Sequence, residues 1–143
     1  MDEPHVSIET APDRDDIAVL ESGLTAHTLP IIGVPGVQPL AVFLRDDAGR
    51  IVGGAYGRTN WNWLHIATVW VAETARGKGL GRRVMLAIEG AAEERGCERA
   101  HLDTFSYQAR PFYEKLGYHV FGELEDYPPG HTRFFLRKQL RAR

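Results

Sequence analysis

Sulfur is scarce in this chain: 143 residues hold one cysteine, Cys97, and two methionines. A single cysteine excludes an internal disulfide and any cysteine-based zinc cluster. The six histidines form no metal motif either. His-Glu-x-x-His is absent, and His101, His119 and His131 fall on separate predicted elements. No apolar run approaches the roughly 20 residues that span a membrane. The opening Met1-Asp2-Glu3-Pro4-His5 is too acidic and polar for a signal peptide. A basic excess is also missing: 17 Lys and Arg stand against 19 Asp and Glu, for a net charge of −2. That balance argues against a nucleic-acid module. Repeats, low-complexity tracts and linkers are absent. What is present is an ordinary globular composition, 43% hydrophobic and 25% charged. It suits a single domain over residues 1–143, with a reduced cytoplasmic location as the default and Cys97 as inert packing.

Hydrophobic periodicity divides the chain. Val6-Ser7-Ile8-Glu9-Thr10 alternates as a short strand does. A helix opens at Ala11-Pro12-Asp13 and runs to about Gly23, and residues 23–39, rich in Gly and Pro, read as a broken second helix and a loop. Three strands follow as an antiparallel meander: 40–45, 51–57 and 61–71, with turns at Asp46-Asp47-Ala48-Gly49 and Thr59-Asn60. Leu80, Val84, Ile88 and Ala91 recur at helical spacing over 80–95, which Gly96 ends. Then come a strand at 100–105, a short helix at 108–116 with Pro111 in its first turn, and strands at 118–124 and 133–138. The order βα(α)βββαβαββ predicts one α+β domain with a mixed, mostly antiparallel sheet and helices on both faces.

The densest chemistry lies at Arg76-Gly77-Lys78-Gly79-Leu80-Gly81-Arg82. Three glycines between a strand and a helix start let backbone approach a ligand closely. The helix N-terminus presents free N–H groups and a partial positive charge, and Arg76, Lys78, Arg82 and Arg83 add cations. The pattern asks for a phosphate or pyrophosphate. It is not a P-loop, since no Gly-x-x-x-x-Gly-Lys-Ser/Thr is present. Nor does Gly77-x-Gly79-x-Gly81 fit a dinucleotide fingerprint, and three meander strands precede it.

Arg-x-x-Gly-x-Gly at 76–81 after an apolar strand resembles the pyrophosphate loop of the GNAT superfamily of acetyl-CoA-dependent N-acetyltransferases. Downstream, Ala109-Arg110-Pro111-Phe112-Tyr113-Glu114-Lys115-Leu116-Gly117-Tyr118 is similar to that family's helix-to-strand segment. The element order matches as well, so the resemblance covers essentially the whole chain. It implies direct acetyl transfer from acetyl-CoA to an amine in a ternary complex. It implies a V-shaped slot beside the strand before the loop, where Val69, Trp70 and Val71 would pair with the pantetheine arm. One N–H there would polarise the thioester carbonyl. Backbone from Gly77 through Lys78, Gly79, Leu80 and Gly81 to Arg82 would hold the pyrophosphate, with Arg76 and Lys78 in reach. Ser106 stands where the family often has a pantetheine-contacting Asn; a hydroxyl replaces one amide hydrogen bond but not both functions.

Tyr113 is then the candidate general acid for the leaving thiolate. Phe112 and Leu116 already supply that helix's core contacts, which frees Tyr113 to face the slot. A base for the amine is harder to name. His65 shares strand parity with Val69 and Val71 and has a suitable pKa. A strand histidine satisfied by a neighbour is an equal reading. Glu73 and Asp103 are weaker candidates, and a water chain is another route. The Ser106 and His101 pair lacks a nucleophile-elbow context.

The acceptor is expected to meet residues 24–39, Trp61, Trp63, Trp70, Tyr107 and the loop from Glu123 to His131. Aromatics would frame an apolar or cationic body, and Glu123, Glu125 and Asp126 would attract an ammonium. Trp61 and Trp63, alternating on one face, are more often core or a dimer surface, and the acidic run is more often a solvated loop. The expected acceptor is a small-molecule amine. A protein or peptide acceptor, and a non-catalytic acetyl-CoA-binding domain, are the alternatives. A homodimer is an expectation by family analogy alone.

Overall fold

A computed structural model describes residues 2–140. They divide into two compact units that part between Pro35 and Gly36.

The first unit is a single helix, α1 (Arg14–Ile32), behind an irregular lead. Asp13 caps it, its carboxylate accepting from the Asp15 N–H at 2.8 Å. The break expected near Gly23 does not occur. An isolated glycine costs a helix only about 1 kcal/mol, and Pro30 forfeits the one bond its N–H would make to the Ala26 carbonyl, with only two helical residues after it. Gly33, at φ 72°, closes the helix with its N–H on the Leu29 carbonyl at 2.9 Å. The strand expected at residues 6–10 is not formed. Alternation marks a segment that suits a sheet edge, but a strand exists only when a partner supplies the ladder.

The second unit holds a six-stranded mixed sheet in the order β1-β2-β3-β4-β6-β5. Its strands are β1 (Gln38–Arg45), β2 (Ile51–Asn60), β3 (Trp63–Val71), β4 (Arg99–Phe105), β5 (His119–Glu125) and β6 (Thr132–Gln139). All neighbours are antiparallel except β3 and β4, which are parallel and joined through α2 (Leu80–Glu94). A short α3 (Arg110–Lys115) connects β4 to β5. The α+β class and mixed sheet therefore stand as expected, without the first strand. One boundary moves: Trp61 and Asn62, both at positive φ, make the β2–β3 turn expected two residues earlier. Trp61 is therefore a turn residue, while Trp63 opens β3.

The core lies between the sheet and α2. Leu64 and Ile66 from β3, Ala100 and Leu102 from β4 and Leu136 from β6 pack with Val84, Met85 and Ile88. Burying each larger side chain stabilises the fold by about 1.5–3 kcal/mol. One charge sits in this stripe. Glu89 is 4% exposed and accepts from Tyr118 Oη at 2.7 Å and Lys138 Nζ at 2.8 Å, which ties α2 to the chain after α3 and to β6.

Candidate active site

Two irregularities open the sheet between β3 and β4. The first is a bulge. β2 and β3 shift register between Tyr56 and Gly57, which leaves Ala67 as the extra residue on β3. Gly57 permits it, because a Cβ there would overlap the His65 carbonyl oxygen. The second is the end of pairing: β3 and β4 run in register from Trp63↔Arg99 to Ile66↔Leu102 and no further. Beyond that point β4 bonds elsewhere. The Phe105 N–H donates to Gln108 Oε1 at 3.2 Å, and the Ser106 N–H to the Thr132 carbonyl at 2.9 Å. A wedge opens between Ala67–Val71 and Asp103–Phe105.

The bulge decides what faces this wedge. Val69 joins the core-side face with Leu64 and Ile66. His65 lies on the opposite face, stacked on His101 at 4.6 Å between centroids. The parity that would aim His65 at the slot with Val69 and Val71 is broken at Ala67. Its Nδ1 is buried without a hydrogen-bond partner. Burial first, then the Arg58 charge, pushes the His65 pKa down, and Asp103 partly opposes this. His101 is lowered by burial, then by His65 and Arg58.

Backbone direction along β3 follows from its bonds. The Ala72 N–H donates to the Val52 carbonyl at 2.8 Å, so Ala72 faces β2. Strand alternation turns Trp70 the same way and Val69 and Val71 toward the wedge. The Val71 carbonyl accepts from Arg76 Nε at 2.9 Å. That leaves the Val69 N–H and C=O and the Val71 N–H as an open strand edge. Trp70 contributes its half-exposed ring instead.

Beyond a short turn (Glu73–Ala75), Gly77 and Gly79 have φ of 78° and 71°, conformations that favour glycine. A Cβ at either would meet nothing within 4 Å, so this backbone lies bare. Gly79 precedes α2 with no side-chain cap, leaving the helix's first N–H groups without partners. Gly81 serves packing: a Cβ there would come to 3.2 Å from Phe112.

Val69, Val71, Arg76, Gly79, Phe112 and Tyr113 are among the residues lining a cavity of about 460 Å3 at this loop. Trp70, Gly77, Leu80, Gly81 and Arg82 line it as well, whereas Lys78, Ser106 and His65 do not. A second cavity of about 330 Å3 shares Val69, Ala109 and Tyr113 with the first and reaches Asp103, Phe105 and Gln108. Tyr113 stands where the two meet and is 9% exposed. Burial, with the Asp103 charge second, raises its pKa above the ordinary phenol value. The Ser106 hydroxyl is engaged elsewhere: it accepts from the Thr132 N–H at 3.1 Å and lies 3.2 Å from His131 Nδ1.

Sequence reasoning missed Gln108 and Phe112 as cleft residues. Gln108 reads as the start of a helix, yet its side chain accepts from the Thr104 hydroxyl and the Phe105 amide. Phe112 reads as core, and the small Gly81 opposite it was the available signal. Asp103 was named only as a weak base.

Known proteins resemble this chain in sequence and fold. A family model for the Acetyltransferase (GNAT) family matches residues 14–118. The chain is 37% identical over 112 residues to a blasticidin-S acetyltransferase of Streptomyces morookaense, covering 78% of this chain and 82% of that one. It is 28% identical over 127 residues to an acetyltransferase of Agrobacterium fabrum, covering 89% and 93%. The crystal structure of an acetyltransferase from Bacillus cereus superposes with a TM-score of 0.87 at 32% identity, covering 95% of this chain and 97% of that one. With an open strand edge, a bare glycine loop and a buried tyrosine in one cleft, the chain belongs to the GNAT acetyltransferase family.

Proposed function

We propose that the protein is an N-acetyltransferase that moves the acetyl group of acetyl-CoA directly to the primary amine of a small molecule. The meeting of an open strand edge, a bare helix start and a buried phenol in one cleft carries this reading.

The residues suit the donor. A pantetheine arm carries amides, and the Val69 and Val71 backbone offers it the partners a neighbouring strand would find. A pyrophosphate suits the loop, where amides from Gly77 to Arg82 converge on bare backbone. Lys78 and Arg82 are exposed beside it. Arg76 acts first by holding the loop to the Val71 carbonyl. Acetyl-CoA supplies an acyl group activated as a thioester. A slot-facing N–H of β3 polarises its carbonyl, a donor whose loss in related chemistry costs on the order of 3 kcal/mol. Tyr113 donates a hydrogen bond to the sulfur as the C–S bond breaks. Its raised pKa keeps the phenol protonated at neutral pH. A thiol, at about 8.5, is the stronger acid, so Tyr113 stabilises the departing thiolate chiefly by that bond and the thiol regains its proton from solvent.

Direct transfer is favoured because no cysteine lines either cavity; Cys97 is buried elsewhere. Similarity to a blasticidin-S acetyltransferase supports a small molecule over a protein as acceptor.

The test is thiol release from acetyl-CoA across a panel of alkylamines, aminosugars and amino-acid amides, with coenzyme A binding measured in parallel. The wild type is expected to turn over at least one class. Gly79→Glu, which places a carboxylate over the loop at a φ costly for any side chain, is expected to abolish coenzyme A binding while the fold persists. Undiminished binding in that variant would sink the loop assignment.

A further inference from the structure

Asp103 is the one carboxylate among the residues lining the two cavities of the cleft. On β4 it alternates with buried Leu102 and Thr104, and so projects from the face opposite the core. Its Oδ2 accepts from Arg133 Nε at 3.0 Å. Oδ1 has no protein partner among the described residues, and the side chain keeps 23% of its surface exposed. Arg133 is itself seated over Phe105 and Tyr127, with Cζ 5.7 and 5.1 Å from the ring centroids. The ion pair therefore orients the carboxylate through Oδ2, in a residue that lines the cleft. It also lies close enough to Tyr113 to contribute to that phenol's shift.

We infer that Asp103 Oδ1 binds the acceptor's amine and takes its proton during transfer, which makes Asp103 the acceptor-side catalytic residue; this rests on the acetyltransferase reading above. An ammonium donates to Oδ1 as a charge-assisted hydrogen bond, short and directional. An ammonium has no lone pair, so one proton leaves to solvent before attack, and a carboxylate is too weak a base to hold it; the neutral amine stays hydrogen-bonded to Oδ1 and attacks the thioester carbonyl. The nitrogen's proton becomes acidic as its lone pair forms the C–N bond. Oδ1 accepts the proton then, the C–S bond breaks, and the electron pair leaves on sulfur under the Tyr113 hydrogen bond. Asp103 afterwards returns the proton to solvent. The site accordingly selects a primary amine that is cationic in solution.

The experiment compares Asp103→Asn and Arg133→Gln with wild type, using the best amine from the panel. Asp103→Asn keeps an oxygen for Arg133 but loses the charge. Its kcat/KM for the amine is expected to fall about 100-fold, with the KM for acetyl-CoA and the melting temperature near wild type. Arg133→Gln removes the ion pair and keeps the carboxylate, so its loss is expected to stay within about fivefold. Equal losses in the two variants would show that Asp103 serves only its ion pair, and overturn the inference. So would an Asp103→Asn enzyme that acetylates the amine at the wild-type rate. A wild type silent toward every amine would instead overturn the acetyltransferase reading, and the acceptor site with it.

Discussion

Tyr113 owes its raised pKa first to burial and then to the Asp103 charge. Phe112 lies 5.1 Å away and Tyr118 6.2 Å away, centroid to centroid, both edge-on. The shift they help produce favours a hydrogen-bond donor over a proton that leaves. Tyr113→Phe keeps the ring and removes only that donor. It is expected to leave coenzyme A affinity unchanged and lower kcat about 100-fold; a kcat at the wild-type level would show that the thiolate needs no help from this residue. The position of Tyr113 was legible in the sequence because its segment carries a recognisable order of residues. That of His65 was not, because parity counting assumes an unbroken strand. One extra residue at Ala67 moves every side chain before it to the other face. Gly57 was the trace of that bulge, yet a glycine in a strand has other uses, and only the overlap with the His65 carbonyl identifies this one. The place of Asp103 at the cleft was hidden for a related reason: β4 looks like any half-buried strand until its pairing with β3 ends at Leu102.

At the scale of elements, the strongly periodic segments were readable and the marginal ones were not. α2 was found from its apolar spacing, though the buried face runs through Val84, Met85, Ile88, Glu89 and Ala92, slightly turned from the stripe that spacing suggests. The turn admits Glu89, which no hydrophobic count would place in a core. α1 was cut short because Gly and Pro were weighed as breakers, when each carries a bounded cost that a 19-residue helix can absorb. The Glu89 tie supplies a test of element packing. Its buried carboxylate is satisfied by Lys138 and Tyr118. Lys138, 19% exposed at its side chain, is the sole cation paired with it among the described residues. Lys138→Met keeps most of the side-chain volume and strands the charge, a change expected to cost about 3 kcal/mol. Adding Glu89→Gln to that variant is expected to recover part of the loss, because a neutral amide is cheaper to bury. Urea melts of the single and double variants measure both. A double variant no more stable than the single would place the cost in lost packing.

For the whole molecule, the charge balance at acid pH depends on a feature of the second sheet face. His65 and His101 are register partners across β3 and β4, stacked and half-buried. Both have pKa values lowered from the ordinary 6.5, by burial first, then by Arg58 at His65 and by His65 and Arg58 at His101, with Asp103 opposing at each. The sign of the effect on stability follows from proton counts. Below about 6.5 the unfolded chain holds a proton on each imidazole that the folded protein resists taking. The folded state is therefore favoured in full above the unfolded pKa and loses that advantage as pH falls through it toward the lower folded values. Between about pH 7 and pH 5 the urea midpoint of the wild type is expected to drop, beyond the change from carboxylates, which comes lower. A His65→Gln/His101→Gln double variant removes both groups, and its midpoint is expected to fall less steeply over the same window. The slope, not the absolute stability, is the readout, since the exchange also alters the stack. Identical slopes would mean that the two imidazoles titrate alike in the folded and unfolded protein, and that this face of the sheet is wetter than its packing implies.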